Sequence, residues 1–276
     1  MDEPIRLFSD LHLAHPACRV ESVAQLAPLF DGARTVVFNG DTTEQRHSLL
    51  RENGERQLDS LKELLADRGI AAHFLRGNHD PRISEIDHLD LANGQVLVTH
   101  GDALFRHLSP WSPKVWKVVP LMEAVRAEYG EARLESDLAA CLECTHRCRG
   151  LSAGSELEFK KTGPFPKLRS LARIAWPPLR PVRILRTWQT IPAQAHAFAE
   201  RYRPEAKVIL FGHTHFPGIW KRDGRVAINT GGFMSVMPAR AIEISGGRLV
   251  VRKIEEGSGL FQLGTELASI NLSPTQ

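Results

Sequence analysis

The chain is poor in cysteine and has no long apolar run. Its 276 residues include only four cysteines, too few for a secreted disulfide scaffold of this length, so we expect a reducing compartment. No stretch approaches the roughly 18 uninterrupted apolar residues that a membrane-spanning helix requires. The opening segment MDEPIRLFSD lacks the basic and apolar regions of a signal peptide. These absences predict a cytoplasmic protein that is soluble or attached to a membrane surface.

Composition favours a folded chain with a sizeable core. Hydrophobic residues make up 42% of the sequence, which suits one large domain or one domain with an insertion. The formal net charge is only +3, so the distribution of charge, rather than its total, has to inform on partners.

Short apolar runs alternate with segments of helical spacing along the first half of the chain. Five runs end in polar residues and are predicted to be strands: IRLFSDLH, TVVFNGD, AAHFLRGNHD, GQVLVTHGD and KVILFGHTH. ESVAQLAPLF and RQLDSLKELLADRG have helical spacing, the latter with Gly69 as its stop. This alternation predicts an α/β fold with a largely parallel sheet and helices outside it.

The C-terminal third has a different pattern. RVAINTGG, ARAIEISGG and RLVVRKI are predicted to be strands joined by glycine turns, forming an antiparallel meander that closes a second sheet. We expect the main domain to span residues 1–256, and residues 257–276 to form a loose tail.

The stretch at about 103–206 is predicted to be a helical insertion that covers the ends of the strands. KVWKVVPLMEAVRAEYG, ARLESDLAACLECTHRC and TWQTIPAQAHAFAERY have helical spacing, whereas WPPLRPVR is expected to break any helix. Three cysteines, Cys141, Cys144 and Cys148, lie close together here with His146 between them. Their spacing puts the thiols on one helix face, which favours packing; a zinc site is the alternative.

Polar residues at the strand ends form the candidate site. In a strand, residues two apart point to the same side, so His213 and His215 of LFGHTH can converge on one point. Taken alone, such a pair is as often two surface histidines as two functional ones. However, ligands of open α/β sheets bind beyond the carboxyl ends of the strands, where the other polar residues also fall. The combined set suits two divalent metals that share a carboxylate: Asp10, His12, Asp41, Asn78, His100, His213 and His215.

The ordered motifs DLH, GD, GNHD, THGD and GHTH, followed by INTGG, resemble the signature of the calcineurin-like metallophosphoesterases. The resemblance implies a four-layer α/β/β/α sandwich with a dimetal centre at one edge. It implies that Asp10, His12 and His215 hold the first metal, that Asn78, His100 and His213 hold the second, and that Asp41 bridges both. It also places Glu44 as the supporting acidic residue after the GD motif.

The implied reaction is hydrolysis at phosphorus. Two divalent ions, manganese first and iron, zinc or cobalt as alternatives, would provide a bridging hydroxide for in-line attack. His79 would protonate or hydrogen-bond the leaving oxygen, and Asp80 would fix its tautomer. The alternative for His79 is a role in stabilising its loop.

The substrate is predicted from the insertion. Between Arg147 and Arg186 ten basic residues accompany two acidic ones, a local excess of +8, and four of the five tryptophans lie in the same insertion. This pattern suits a phosphate headgroup beside an acyl chain, a membrane interface or stacked nucleobases; a solvated basic face is the alternative. The motifs resemble most the branch of UDP-2,3-diacylglucosamine hydrolases, which implies a pyrophosphate-linked lipid precursor. The rival hypotheses are a nuclease, nucleotide phosphodiesterase or general phosphatase, and a non-catalytic scaffold.

Overall fold

Two β-sheets form the centre of the protein. The computed structural model describes residues 1–112, 115–151, 179–235 and 237–272. The first sheet has the order β11-β10-β9-β1-β2-β3, with strands Leu260–Asn271, Arg248–Gly257, Arg240–Ser245, Ile5–Phe8, Thr35–Asn39 and Ala71–Leu75. The second has the order β4-β5-β6-β8-β7, with strands His88–Leu91, Val96–Thr99, Val208–Phe211, Arg225–Asn229 and Gly218–Arg222.

The parallel strands of both sheets end at the same edge of the molecule. In the first sheet β1, β2 and β3 are parallel, and Phe38 pairs with Phe8 on one side and Phe74 on the other. In the second sheet β5, β6 and β8 are parallel. Each of the five predicted motif strands is present, and their carboxyl ends come together although they belong to two sheets.

Apolar side chains pack between the two sheets and between each sheet and the helices outside it. These three interfaces produce a four-layer sandwich. Side chains such as Leu7 and Val98 are fully buried between the sheets. Helix α1, Ser48–Ala66, and the 3-10 helix Val23–Phe30 pack on the outer face of the first sheet. Helical residues including Ile191 cover the outer face of the second sheet. The predicted mixed α/β fold with two sheets flanked by helices is therefore confirmed.

The insertion is helical in its described parts. It contains α2 Val115–Tyr129, α3 Glu131–Ser136, α4 Leu138–Leu151 and α5 Leu179–Tyr202, after a 3-10 turn at Asp102–Leu104. The predicted helical run at 132–148 is divided at Asp137, because its carboxylate accepts the backbone N–H groups of Ala139 and Ala140 as a helix cap.

The expectation that WPPLRPVR breaks any helix is wrong from Leu179 onward. Helix α5 begins there and includes Pro181 in its first turn. Backbone N–H groups of a first helical turn have no partner within the helix, so proline is tolerated there. Residues 176–178 lie outside the described part of the chain.

The loose tail predicted for residues 257–276 is also wrong over most of its length. Strands β10 and β11 form a hairpin in which Gly257 pairs with Leu260. Ser258 and Gly259 between them have φ of 53° and 75°, as a two-residue hairpin turn with two positive φ angles requires. Residues 273–276 lie outside the described residues.

The C-terminal strands are divided between the sheets, contrary to the predicted meander in the second sheet. Strand β8 belongs to the second sheet, parallel to β6. Strands β9, β10 and β11 are antiparallel neighbours in the first sheet, where β9 pairs with β1. Glycine turns therefore indicated the strands correctly but did not indicate which sheet each one joins.

Candidate metal centre

The predicted ligands come together at the strand ends, where their own backbone has an unusual conformation. Five of them have left-handed φ angles between 51° and 66°: Asp10, His12, Asp41, His213 and His215. Non-glycine residues rarely adopt this conformation, which costs of order 1–3 kcal/mol each and persists where the surrounding structure enforces it. The strain is therefore concentrated where the side chains must turn into one pocket.

The first group of potential metal ligands comprises Asp10, His12, Asp41 and His215, whose donor atoms all lie within 4.8 Å of one another. The Nε2 atoms of His12 and His215 are 3.0 Å apart. Nε2 of His215 is 3.2 Å from the Asp10 carboxylate, and Nε2 of His12 is 3.6 Å from Asp41. Two imidazole nitrogens and two carboxylates thus face one point.

The second group comprises Asp41, His100 and His213. Nε2 of His100 lies 3.4 Å from the Asp41 carboxylate and 3.1 Å from Oδ1 of Asn78. Asp41 belongs to both groups, so one carboxylate lies between the two clusters. The structure therefore brings together all seven residues that the sequence predicted as metal ligands.

Hydrogen bonds on the far side of the rings indicate which nitrogen faces the pocket. Nδ1 of His12 is 2.9 Å from Glu44, and Nδ1 of His100 is 3.1 Å from the Asn39 carbonyl, so each donates away from the pocket and presents Nε2. His213 is reversed, because its Nε2 donates to the Leu108 carbonyl at 3.0 Å, which leaves Nδ1 as the nitrogen that can bind a cation. Such partners fix the tautomer of metal-binding histidines. The donor set therefore fits divalent cations.

The electrostatics of the pocket also favour cations. Burial alone would lower the pKa of His100, but the carboxylates of Asp41, Asp10 and Asp102 raise it to about 10. Burial lowers the pKa of His213 to about 4, which keeps that ring neutral and able to donate a lone pair. A buried group of carboxylates needs compensating positive charge, which bound cations would provide.

Glu44 connects the first ligand group with His79. One carboxylate oxygen contacts Nδ1 of His12 and the other contacts Nδ1 of His79, both at 2.9 Å. Burial alone would lower the pKa of His79, but Glu44 and Asp41 raise it to about 9. The supporting acidic role implied for Glu44 thus has a defined geometry: it orients one predicted ligand and the predicted proton donor together.

Asp80 does not have the role expected of it. We expected it to fix the tautomer of His79, but its carboxylate accepts backbone N–H groups of Asp41, Thr42, Thr43 and Gly77 at 2.6 to 3.2 Å. Glu44 occupies the position beside His79 instead. Asp80 therefore holds the loop of Asp41 against the loop of Asn78. Although Asp80 follows His79 in sequence, its side chain points to these backbone groups and not to the imidazole ring.

Glycine is required where the backbone passes close to a ligand. A Cβ atom added at Gly212 would lie 2.0 Å from Oδ2 of Asp10, and one at Gly77 would lie 2.2 Å from the backbone nitrogen and Oδ1 of Asp41. Real Cβ atoms do not approach other atoms this closely. At both positions glycine therefore lets the backbone pass directly beside a predicted ligand.

Two contributors to the site were not assigned from the sequence. Asp102 closes the THGD motif and is fully buried, and Arg149 of helix α4 donates to both of its carboxylate oxygens at 2.7 and 2.9 Å. The motif could have indicated Asp102. No local pattern indicates Arg149, because its partner lies 47 residues earlier.

Aromatic residues of the insertion lie against the GHTH loop. The Trp111 ring is 5.1 Å from that of His213, and Nε1 of Trp188 contacts the Thr214 carbonyl at 3.4 Å. Trp188 also stacks on Phe216 at 4.5 Å. The insertion therefore forms an aromatic cover beside one part of the metal centre.

The three cysteines of the insertion belong to apolar clusters and to neither ligand group. Cys144 and Cys148 are buried in a small apolar cluster of the insertion, and Cys141 packs beneath helix α5. Among the described residues, no group of potential metal ligands includes them. This arrangement agrees with the packing interpretation.

No helix in the described parts of the chain is long and apolar enough to span a membrane.

Comparisons with known proteins identify the family. A sequence model described as calcineurin-like phosphoesterase matches residues 3–217. No curated protein matches the chain significantly. Among solved structures, a dimetal phosphatase from Danio rerio is 13% identical with a TM-score of 0.47, and the alignment covers 98% of this chain and 100% of that one.

Other solved structures give similar scores. The phosphoesterase Yfce from E. coli is 14% identical with a TM-score of 0.43, covering 98% of this chain and 99% of that one. An uncharacterised protein from Streptococcus pneumoniae, described as a predicted phosphoesterase, is 15% identical with a TM-score of 0.37, covering 96% and 99%. Because these identities and scores are low, the family assignment depends on the sequence model.

Proposed function

The chain belongs to the calcineurin-like phosphoesterase family and is a hydrolase, and from this premise we propose that it cleaves phosphoesters at a centre of two divalent cations. The observation that carries the proposal is the shared position of Asp41 between two ligand groups. Asp10, His12 and His215 would hold the first cation, with Asp41 between the two. Asn78, His100 and His213 would hold the second.

The chemistry follows from charge and orientation. When bound, two divalent cations lower the pKa of water and offset the charge that develops on the phosphoryl oxygens. His79 is held by Glu44 through Nδ1, so Nε2 is the ring nitrogen that can meet the substrate. We assign it the donation of a proton to the leaving oxygen, a step in which general acids typically contribute about 10²- to 10⁴-fold.

The nature of the donors limits the choice of metal. Carboxylate, amide and imidazole ligands suit manganese, iron, zinc or cobalt, whereas a site for copper(I) would need thiolate or thioether ligands. We propose manganese as the first cation to test. The cysteines of the insertion play no part in this assignment.

Within this reaction class we propose an amphiphilic diphosphate as substrate, of the kind represented by UDP-2,3-diacylglucosamine. The support lies in the insertion, where Trp116, Leu179, Val182 and Leu185 are exposed at the beginnings of helices α2 and α5. The guanidinium of Arg183 lies 5.3 Å from the Trp116 ring. Apolar side chains beside basic groups suit acyl chains next to a charged headgroup, and also a membrane surface.

The test is a panel of phosphoesters with added manganese: bis(p-nitrophenyl) phosphate, UDP-2,3-diacylglucosamine, nucleotides and short oligonucleotides. We expect turnover of the aryl diester and of the lipid diphosphate. Turnover of oligonucleotides without the lipid would replace the substrate proposal by the nuclease hypothesis. Inactivity on every substrate with every divalent ion would leave the scaffold hypothesis.

Two variants separate the roles within the centre. Asp41→Ala should lower the bound metal itself, and full metal occupancy in this variant would contradict the bridging role. His79→Ala should keep the metal and slow turnover by about 10²- to 10⁴-fold, most with poor leaving groups. Unchanged turnover would remove His79 from catalysis. Metal content is measured by elemental analysis of the purified variants.

A further inference from the structure

Arg46 is a partly buried cation beside the metal centre. Its Nη1 donates to the backbone carbonyl of Asn78 at 3.1 Å. A guanidinium has five N–H donors. Among the described residues, the bond to Asn78 is the one hydrogen bond of the Arg46 side chain, and Arg46 forms no ion pair with any of them. A partly buried arginine that is not paired with a carboxylate keeps donors available for an anionic ligand.

The position of Arg46 is fixed by the loops of the centre. The backbone N–H of Gln45 donates to the His79 carbonyl at 3.0 Å, and the Gln45 side chain accepts the N–H of Arg82 at 3.1 Å. Arg51 of helix α1 donates to the Gln45 carbonyl at 2.9 Å. Arg46 therefore lies on a segment that hydrogen bonds join to the loop carrying both Asn78 and His79.

The hydrogen bond to the Asn78 carbonyl places Arg46 beside the pocket, next to the residue that precedes His79. Burial lowers the pKa of Arg46, whereas the carboxylates of Asp41, Glu44 and Asp102 act in the opposite direction. The positive charge of Arg46 acts to lower the pKa of His79, against the larger effects of Glu44 and Asp41. Because Arg46 contacts the carbonyl of Asn78 and Gln45 contacts that of His79, Arg46 lies on the His79 side of the centre, the side to which the proposed function assigns the leaving group.

From this geometry we propose that Arg46 binds the leaving phosphate of a diphosphate substrate and so selects diphosphate diesters over esters with an uncharged leaving group. The inference rests on the proposed function. In the reaction, water adds to the phosphorus held by the centre, and the P–O bond to the second phosphate breaks. The departing oxygen takes the proton of His79, so that two phosphate monoesters are formed. Arginine suits this role because its planar fork can donate two hydrogen bonds to one phosphate.

The first experiment compares inhibitors of bis(p-nitrophenyl) phosphate hydrolysis at fixed free manganese. For the wild-type protein, α,β-methylene-UDP should inhibit at lower concentration than orthophosphate. Arg46→Ala should weaken inhibition by the methylene diphosphate by about 10- to 100-fold, the value of a charge-assisted hydrogen bond or two, with orthophosphate changed much less. Arg46→Lys should restore part of the difference, because it keeps the charge without the fork.

The matched control is Arg82→Ala, which removes the same charge from an exposed side chain on the neighbouring loop. It should leave both inhibition constants unchanged. Equal weakening of both inhibitors in Arg46→Ala, or the same effect in Arg82→Ala, would overturn the proposal in favour of a general charge effect. No change in Arg46→Ala would overturn it outright.

A second readout does not depend on turnover. Calorimetric titration of the metal-loaded protein with α,β-methylene-UDP should show the same selective loss in Arg46→Ala. If the wild-type protein binds this probe, Arg46→Ala weakens that binding selectively and no ester is hydrolysed, the proposed function fails and Arg46 keeps a role in diphosphate binding alone. If it hydrolyses the aryl diester but prefers orthophosphate to the probe, the assignment fails while the proposed function stands.

Discussion

Arg149 and Asp102 form a fully buried ion pair that joins the helical insertion to the metal centre. Nε and Nη2 of Arg149 donate to the two oxygens of Asp102, and Nη1 reaches Asp87 at 3.0 Å. Asp102 lies two residues after the predicted ligand His100. Because helix α4 is fixed at this point, the insertion takes part in shaping the loop that carries His100.

Removal of Arg149 should destabilise the whole protein. Arg149→Ala leaves the Asp102 carboxylate buried without its partner, and breaking such a pair costs about 3–5 kcal/mol in the free energy of unfolding. Urea unfolding followed by circular dichroism measures the change. A loss below about 1 kcal/mol would show that water or another residue replaces the guanidinium.

The control for this prediction is an exposed arginine of the same insertion. Arg106 contacts Glu123 and Glu131, but it is well exposed, and exposed pairs contribute about 0–1 kcal/mol. Arg106→Ala should therefore have little effect. Combining Arg149→Met with Asp102→Asn should cost less than Arg149→Ala alone, because no unpaired charge then remains buried.

Metal binding should stabilise the folded protein. A cation that binds only the native state at 100 times its dissociation constant adds about 2.7 kcal/mol, which corresponds to a rise in Tm of about 5–10 °C for a chain of this size. Manganese added to the metal-free protein should produce this rise, and EDTA should reverse it. In His100→Ala the rise should be much smaller; an equal rise would place the cation elsewhere.

The cysteines provide a test of where the metal resides. If Cys144 and Cys148 only pack in the insertion, replacing both by alanine should leave the metal content per chain unchanged. The stability should fall by an amount typical of small core truncations, about 1–3 kcal/mol. Loss of one metal ion in this double variant would instead support the zinc alternative. Elemental analysis and urea unfolding of the same samples distinguish the two results.

Glu44 should affect catalysis through the two histidines that it orients. Glu44→Gln keeps the shape but replaces one acceptor oxygen by a donor, which conflicts with an Nδ1–H of His12 or His79. Loss of such an orienting partner typically costs 10- to 100-fold in activity or metal affinity. Turnover of bis(p-nitrophenyl) phosphate at saturating manganese is the measurement. The exposed Glu55→Gln on helix α1 is the control and should behave as wild type.

The sequence predicted the centre well because its ligands lie in short motifs at strand ends. Parallel strands bring their carboxyl ends to one edge, so Asp10, Asp41 and His100 could be placed together before their sheets were known. The partners of those residues were harder to predict. Glu44 and Asp80 both follow predicted ligands by two or three positions, and only the backbone path decides which of them faces His79.

Long-range pairing was not predictable from local patterns. The Arg149–Asp102 pair depends on how helix α4 packs, which apolar spacing does not specify. The division of β8 and β9 between two sheets depends on tertiary packing in the same way. At the C-terminus, local composition predicts a loose tail, but Ser258 and Gly259 form a tight hairpin turn because strands β10 and β11 pair.

Gly212 should be intolerant of any side chain. A Cβ at this position would lie 2.0 Å from Oδ2 of Asp10 and 2.4 Å from Oγ of Ser9, so Gly212→Ala must displace a predicted ligand. We expect a loss of about 1–3 kcal/mol in the free energy of unfolding, the usual cost of overpacking, together with weaker metal binding. Gly150→Ala in helix α4 is the control, since its Cβ would meet no atom of the described residues within 4 Å and alanine favours helix. That variant should keep its metal and be equally stable or slightly more so. Normal metal content in Gly212→Ala would mean that Asp10 does not need its observed position, and the first ligand group would have to be reassigned.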